Sequence, residues 1–179
     1  MAKTVTTPGT APGMGAAVLI SAGTMEASDV TTIAWIGTLC SEPPIIGIGV
    51  RPGRWLHHFI VQTAAFVVNV PDTGHVRELD LCGTVSGRIQ DKWALARLTR
   101  EPGTVTGTPM VAECPLNLEC RVRETVHLGS HDLFLGELVA TYADEDIQHA
   151  GKPCDPVCYI GGRYWTLGDL LGPMRSSRK

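Results

Sequence analysis

The sequence lacks the features that mark several large classes of protein. It has no apolar run of the roughly 20 residues that a helix needs to cross a bilayer, and no block of like charges. A formal net charge of −3 gives no sign of nucleic-acid binding, so we predict neither a nucleic-acid nor a membrane partner. The first 23 residues hold one lysine and a short apolar stretch without the layout of a signal peptide, so cytoplasmic residence is the default expectation.

Cysteine motifs are also lacking, although the chain has six cysteines. No CxxC pair occurs, and the closest pair, Cys154 and Cys158, is separated by Asp-Pro-Val. Most of the six lie in apolar runs, where a reduced cysteine behaves as a small hydrophobic residue. A zinc site from His149, Cys154 and Cys158 would offer three ligands where structural zinc takes four. We therefore predict reduced, structural cysteines and no metal.

The length and the hydrophobic content of the chain are sufficient for one folded domain with its own core. The chain has 179 residues, 44% of them hydrophobic, and shows no internal repeat and no linker. The start, rich in proline, glycine and threonine, predicts a flexible arm over residues 1–15. The folded domain is expected over residues 16–172, followed by a basic tail over residues 173–179.

The pattern of apolar residues predicts mostly extended structure. We expect a strand around Ala16–Ala22, a buried strand over Ala65–Val70, and a hairpin that begins with alternating apolar and polar residues over 116–123. Because the strands do not alternate regularly with helices, a doubly wound parallel sheet is not expected. The predicted fold class is mainly β: an antiparallel barrel of Greek-key type with short helices across its openings.

The stretch Thr31–Trp55 contains the central elements of the predicted fold. It reads as a strand over Thr31–Cys40, a polar turn over Ser41–Pro44, a second strand, and a basic loop that opens a short helix. His57 and His58 lie on that helix at adjacent positions, which point in different directions. We expect them to have surface or capping roles and not to form a catalytic pair.

The second strand of this stretch has one bare face. Its branched residues 46, 48 and 50 share one side, and Gly47 and Gly49 lie on the other. Glycine weakens a strand interior, so this face suggests that something flat lies against it. Arg51 and Arg54 follow at the strand's end, where they could hold an anion. The pattern suits a phosphorylated planar cofactor; the alternative is a glycine-rich strand that crosses under another barrel strand.

A second candidate for anion binding lies in residues 82–98. A loop of small residues precedes a helix there, and the helix is expected to present Ile89, Trp93 and Ala96 on one side. Hydroxyls, free backbone N–H groups and a cation near a helix start are the parts of phosphate sites. The loop brings together Thr84, Ser86, Gly87, Arg88 and Lys92. It matches neither a P-loop nor a dinucleotide fingerprint, and a capped helix with a solvated lysine is the alternative.

Six segments in this order resemble the flavin reductase-like, FMN-binding split-barrel family, and within it the flavoredoxin branch. They run from about Thr31 to Leu171 and read TIAWIG, SEPPIIGIGVRPGRW, FVVNVP, CGTVSGR with DK, ECPLNLECRVRETVHLGSHDLFLGEL and YIGGRYWTLG. The resemblance implies a homodimeric split barrel with FMN bound near the subunit interface. The flavin contacts that it implies are Asp29, Thr31, Thr32, Ile33, Trp35, Arg51, Arg54, Ser86, Gly87, Lys92, His131 and Tyr164.

Two positions depart from this family. Relatives often carry asparagine where this chain has Asp29, and an acid there would be unfavourable beside a phosphate or an electron-rich ring. A hydroxyl residue that is common after the basic loop is replaced by Leu56, which removes a phosphate hydrogen bond.

The resemblance also implies a redox function. The flavin would carry the chemistry, so no residue is assigned as catalytic. The leading interpretation is an NAD(P)H-dependent flavin reductase that moves a hydride from the nicotinamide to flavin N5. The alternative is a flavoredoxin-like carrier that passes electrons to a protein partner without oxidising NAD(P)H. A third class is a split-barrel protein that binds another ligand, such as haem or a deazaflavin.

Overall fold

The computed structural model describes residue 10, residues 14–150 and residues 154–169, without the side chains of residues 148–150. Most of the expected arm and all of the expected tail lie outside these residues, as does the His149 side chain of the zinc alternative. The strands are β1 Met14–Ala16, β2 Val18–Gly23, β3 Ser28–Ile33, β4 Ile36–Ser41, β5 Pro44–Val50, β6 Ala65–Val70, β7 Arg100–Pro102, β8 Pro109–Val111, β9 Leu116–His127, β10 Asp132–Ala143, β11 Cys158–Ile160 and β12 Arg163–Trp165.

Short helices connect these strands. They are α1 Trp55–Thr63, α2 Val76–Thr84, α3 Lys92–Ala96 and α4 Glu145–Ala150, with a 3-10 turn at Thr73–His75 before α2. The Asp72 side chain caps that turn by accepting a hydrogen bond from Gly74 N at 2.9 Å. None of the helices in the described ranges is long and apolar enough to span a bilayer.

One antiparallel sheet of seven strands dominates the fold, in the order β3-β2-β6-β9-β10-β5-β4. Its two edges, β3 and β4, are separated in the chain only by Ala34 and Trp35. Such a connection spans at most about 11 Å, so the two edges must meet and the sheet must curl into a barrel. The Gly49 N–H donates to Trp35 O at 2.9 Å and fastens the connection to β5.

Two hydrophobic clusters lie on the two faces of β2. Val18 and Ile20 point to the barrel interior, where side chains of α1 join the cluster. Leu19 points outward, next to Ala17 just before the strand, and α2 and α3 cover them with Leu79, Cys82, Trp93 and Ala96. Every residue of β2 is therefore buried, and the helices fix β3 from outside the barrel.

The mainly β antiparallel fold class is confirmed, and the strand over Ala65–Val70 has the predicted bounds. The single strand expected over Thr31–Cys40 is wrong, because the chain bends at Ala34–Trp35 to join opposite edges. The expected helix face is wrong at Ile89, which precedes α3 and is 82% exposed. All six cysteines are free thiols, and no group of described residues is placed to hold a metal ion.

The bare glycine face of β5 is covered by the protein itself. A Cβ at Gly47 would lie 2.5 Å from Leu39 Cδ1, and a Cβ at Gly49 would lie 3.5 Å from Trp35 Cβ. Both covering residues belong to β4 and the bend before it. The expectation of a bare face is therefore wrong at Gly47. The cover is a side chain of β4, which pairs with β5 in the same sheet, and not a strand that crosses over it.

The alternation in β9 holds, but its polar face is exposed only at Arg121 and Arg123 and is buried in the first half of the strand. Asn117 and Glu119 are buried because residues 103–111 fold over that side of the sheet. The Glu119 carboxylate accepts hydrogen bonds from Thr106 N at 2.5 Å and from the Tyr142 hydroxyl at 2.7 Å. Burial alone would raise its pKa, but these hydrogen bonds together lower the pKa of Glu119 below its ordinary value.

Gly136 in β10 provides a test of the packing in the barrel. A Cβ there would lie 2.5 Å from Phe66 Cζ and 2.9 Å from Cys120 Cβ. We expect Gly136→Ala to lower the free energy of unfolding by about 2–3 kcal/mol, measured in urea. The matched variant Gly37→Ala, whose Cβ would meet only Leu39 Cδ2 at 3.9 Å, should change it by less than about 1 kcal/mol. Equal losses in the two variants would show that the interior relaxes around residue 136.

Candidate functional site

A cavity of about 310 Å³ lies where the two edges of the barrel meet. This volume is at the lower end of the range for small-molecule sites, about 300–1,000 Å³. The bend, the end of β5, the face of α2, the β9–β10 turn and the β11–β12 hairpin all contribute. The lining residues are Thr31, Thr32, Ile33, Ala34, Trp35, Gly49, Val50, Arg51, Arg54, Asp80, Gly83, Thr84, His131, Tyr159, Gly162 and Tyr164.

The main chain of β3 and the bend forms one wall of the cavity. Five consecutive residues, 31–35, line it, and no described strand pairs with the outer side of β3. Free backbone N–H and C=O groups need partners, so this wall can bind the polar edge of a ligand. The Thr32 hydroxyl donates to the Leu79 carbonyl at 2.5 Å, and a Cβ at Gly83 would lie 3.3 Å from Thr32 Cβ. Thus Gly83 allows the close approach of α2 that holds the wall in place.

A cationic end lies at the start of α1. Arg51 and Arg54 line the cavity, and in the described chain no acidic group forms an ion pair with either. Arg54 is the N-cap of α1, no side chain caps this helix, and its first turn contains no acid. Two free guanidinium groups beside uncapped helical N–H groups favour a bound anion. Leu56 is fully buried in the barrel interior, which accounts for the absence of a hydroxyl there.

Two aromatic rings stand beside this cationic end. The rings of Trp35 and His131 have centroids 4.2 Å apart, and Trp35 is 46% exposed. Burial, and then the charge of Arg51, lower the pKa of His131 below its ordinary value of 6.5. The imidazole is therefore mainly neutral at pH 7 and presents an aromatic surface without adding a charge.

The turn that carries His131 is anchored by Asp132. One oxygen of this carboxylate is hydrogen-bonded to His57 Nε2 at 2.7 Å, and the other to His127 Nδ1 at 2.8 Å. The bonds from His127 and then His57 lower the pKa of Asp132. His57 therefore ties α1 to the β9–β10 hairpin, contrary to the expected surface or capping role, whereas His58 is exposed as expected.

An acid and two phenols also line the cavity. Asp80 and Thr84 face it from α2, and Tyr159 and Tyr164 stand with ring centroids 5.5 Å apart. Burial, followed by the charge of Asp80, raises the pKa of Tyr164 to about 12. Its hydroxyl is therefore protonated at neutral pH, with the acidic Asp80 side chain nearby.

The structure brings most of the predicted site residues together. Those that line the cavity are Thr31, Thr32, Ile33, Trp35, Arg51, Arg54, His131 and Tyr164. Asp29, Ser86, Gly87 and Lys92 do not line it. Asp29 and Lys92 instead form a buried ion pair behind Thr31, and a Cβ at Gly87 would lie 2.3 Å from Asp29 Oδ1. Cofactor contact by any of these residues stays a prediction.

Asp80 and Gly83 were missed by the sequence analysis, which did not place α2 at the cavity. The signal that could have found them is their spacing, because residues 80, 83 and 84 share one face of a helix. Tyr159 was missed for another reason. It lies next to Tyr164 only through the β11–β12 pairing, which joins residue 159 to residue 164.

Comparisons with known proteins agree on one family. Residues 13–168 match the model of the flavin reductase like domain. The crystal structure of flavoredoxin from Methanosarcina acetivorans is similar with a TM-score of 0.91 and 31% identity, over 99% of this chain and 98% of that one. Flavoredoxin of Desulfovibrio vulgaris (Miyazaki F) is similar with a TM-score of 0.89 and 26% identity, over the whole of both chains.

One of the relatives found by sequence is named as an enzyme. The FMN reductase (NADH) RutF of Pseudomonas syringae pv. syringae is 26% identical over 136 residues, which are 76% of this chain and 70% of that protein. The family match extends over every residue that lines the cavity.

The proximity of Arg51 and His131 can be tested by titration. Because a cation disfavours the charged imidazole, we expect Arg51→Gln to raise the pKa of His131, measured by NMR. The control Arg121→Gln removes an exposed charge from β9 and should leave that pKa unchanged. An unchanged pKa in Arg51→Gln would mean that the guanidinium does not face the ring in solution.

Proposed function

The chain belongs to the flavin reductase-like family, as its six segments predicted, and from this premise we propose that it binds FMN and acts as an NAD(P)H-dependent flavin reductase. Bound FMN would supply the redox chemistry, taking a hydride from the nicotinamide at N5 and passing electrons to an acceptor. The residues of the chain would bind the flavin, orient it and leave one side of it open. The FMN reductase (NADH) name of the relative from P. syringae supports NADH as a donor.

The observation that carries the proposal is the pairing of a cationic end with a main-chain wall in one cavity. FMN has a planar ring with a polar edge and a phosphate tail, and each part meets suitable chemistry here. The wall of residues 31–35 offers free N–H and C=O groups to the ring edge. Arg51, Arg54 and the start of α1 offer donors and positive charge to the phosphate.

The side chains around the wall would orient the ring. Trp35 and His131 form an aromatic surface beside the arginines, and the neutral imidazole adds no charge that would compete for the phosphate. Tyr164 adds a protonated hydroxyl to the cavity lining, beside the Asp80 carboxylate. Since Trp35 is nearly half exposed, the cavity stays open to a second planar molecule such as a nicotinamide.

A second candidate function is electron transfer to a protein partner. The full-length similarity to two flavoredoxins supports it, because it covers 98–100% of those chains. Fold and cofactor would be the same in both functions, so the two differ only in whether NAD(P)H reduces the flavin directly. The homodimer and the cytoplasmic location stay predictions. The exposed Leu39 side chain on the edge strand β4 supports the homodimer.

Phosphate binding by the two arginines can be separated from ring binding. We expect Arg51→Gln/Arg54→Gln to weaken FMN binding by roughly 30-fold or more, because two charge-assisted contacts are lost. Binding of riboflavin, which has no phosphate, should change by less than about 3-fold. Titration by flavin fluorescence measures both, with Arg121→Gln as the control. Equal weakening of the two ligands would place the phosphate elsewhere.

Rapid mixing tells the two candidate functions apart. We expect anaerobic stopped-flow mixing with NADH or NADPH to bleach the flavin absorption band of the FMN-loaded protein within seconds. A flavin that dithionite reduces but neither nicotinamide reduces would favour the electron carrier. The absorption spectrum of the purified protein before mixing shows whether the natural ligand is a flavin at all, in contrast to haem or a deazaflavin.

A further inference from the structure

A buried ion pair lies directly behind the main-chain wall of the cavity. Lys92 Nζ is 3.0 Å from Asp29 Oδ1, and the two side chains are only 2% and 3% exposed. The ammonium group also donates a hydrogen bond to Thr31 Oγ1 at 2.5 Å, and that hydroxyl lies 3.3 Å from Asp29 Oδ2. The three side chains therefore satisfy one another in a closed triangle.

The loop before α3 seals this triangle from solvent. A Cβ at Gly87 would lie 2.3 Å from Asp29 Oδ1 and 3.0 Å from Asp29 Oδ2, so only glycine lets the loop approach the carboxylate so closely. Lys92 is the first residue of α3, whose Trp93 is buried beside it. Thr31 therefore stands between the cavity and the ion pair, because it lines the cavity and contacts Lys92, while Asp29 and Lys92 do not line the cavity.

We propose that Lys92 and Asp29 form a neutral buried brace that positions Thr31, and through it the main-chain wall, without touching the cofactor. This inference rests on the proposed function, since it concerns how the wall that receives FMN is held. It differs from the contact that the resemblance implied, in which Lys92 would meet the flavin itself. Both residues are positioning residues, and the phosphate charge is met by Arg51 and Arg54.

The opposite charges of Lys92 and Asp29 explain why loss of one side chain should destabilise the other. A buried ammonium and a buried carboxylate are each costly alone, and their attraction offsets that cost only while both are present. Burial lowers the pKa of Lys92, and the neighbouring Asp29 opposes that shift. Removing one partner therefore leaves an uncompensated charge behind the wall, whereas removing both charges leaves the net charge of this layer at zero.

A double-mutant cycle on the full-length protein tests the brace. Lys92→Met, Asp29→Asn and Lys92→Met/Asp29→Asn keep the side-chain volumes nearly constant. The control Arg123→Met removes one partner of an exposed ion pair with Glu137 on the β9–β10 hairpin. Three quantities are measured for each: the unfolding temperature without FMN, the dissociation constant for FMN, and the midpoint potential of the bound flavin.

We expect Lys92→Met to lower the unfolding temperature by roughly 10 °C and to weaken FMN binding by about 10-fold or more. Asp29→Asn should act in the same direction and less, because asparagine still accepts a hydrogen bond from Lys92. The double variant should recover FMN affinity to within about 3-fold of the unmutated protein and keep its midpoint potential. The reason is that an uncharged pair of side chains replaces an ion pair whose net charge is also zero. Arg123→Met should change none of the three.

One result of this cycle would contradict the proposal. A double variant that recovers the unfolding temperature, but still binds FMN about 10-fold or more weakly and has a lower midpoint potential, would show that Lys92 contacts the flavin, and the proposal would be wrong. Failure of the proposed function looks different, since the unmutated protein itself would then take up no FMN. In that case the unfolding temperatures of the ligand-free variants still decide whether the brace exists.

Discussion

The two residues between β3 and β4 bring opposite edges of the seven-stranded sheet together, and most features of the site follow from that closure. The chain leaves one edge at Ile33 and enters the other at Ile36, so the barrel closes around Ala34 and Trp35. β3 pairs with β2 on one side only, and its residues 31–33 line the cavity. A barrel that paired all its strands would satisfy those groups internally and offer a ligand only side chains.

The charges around the closure are arranged in two different ways. At the start of α1, Arg51 and Arg54 have no ion-pair partner within the described chain and stand in an open, anion-favouring position. Behind the wall, Lys92 is fully compensated by Asp29 and shielded by the loop at Gly87. The acid at position 29, which looked unfavourable beside a phosphate or a flavin ring, is thus already neutralised. Two arginines therefore keep their charge available at the cavity, whereas the charge of the lysine is paired and buried.

Local patterns predicted elements well where a single physical signal dominated. The buried strand over Ala65–Val70 ends at a proline that cannot continue it, and the helix at Trp55 follows the spacing of its apolar residues. The prediction of a bare face was wrong at Gly47. The Leu39 side chain of the paired strand β4 covers it, a packing contact that the alternation of residues along β5 does not show.

The sequence by itself determined the family, the mainly β fold and half of the residues that line the cavity, because each rests on segments whose order and composition can be read along the chain. It placed Arg51 and Arg54 after a strand and before a helix, which is where the structure has them. Only the tertiary structure decided that Lys92 faces Asp29 and that Asp80 and Tyr159 reach the cavity. The physical reason is that ion pairing and cavity lining depend on distances between elements, which are set by sheet closure and helix packing and not by neighbours along the chain.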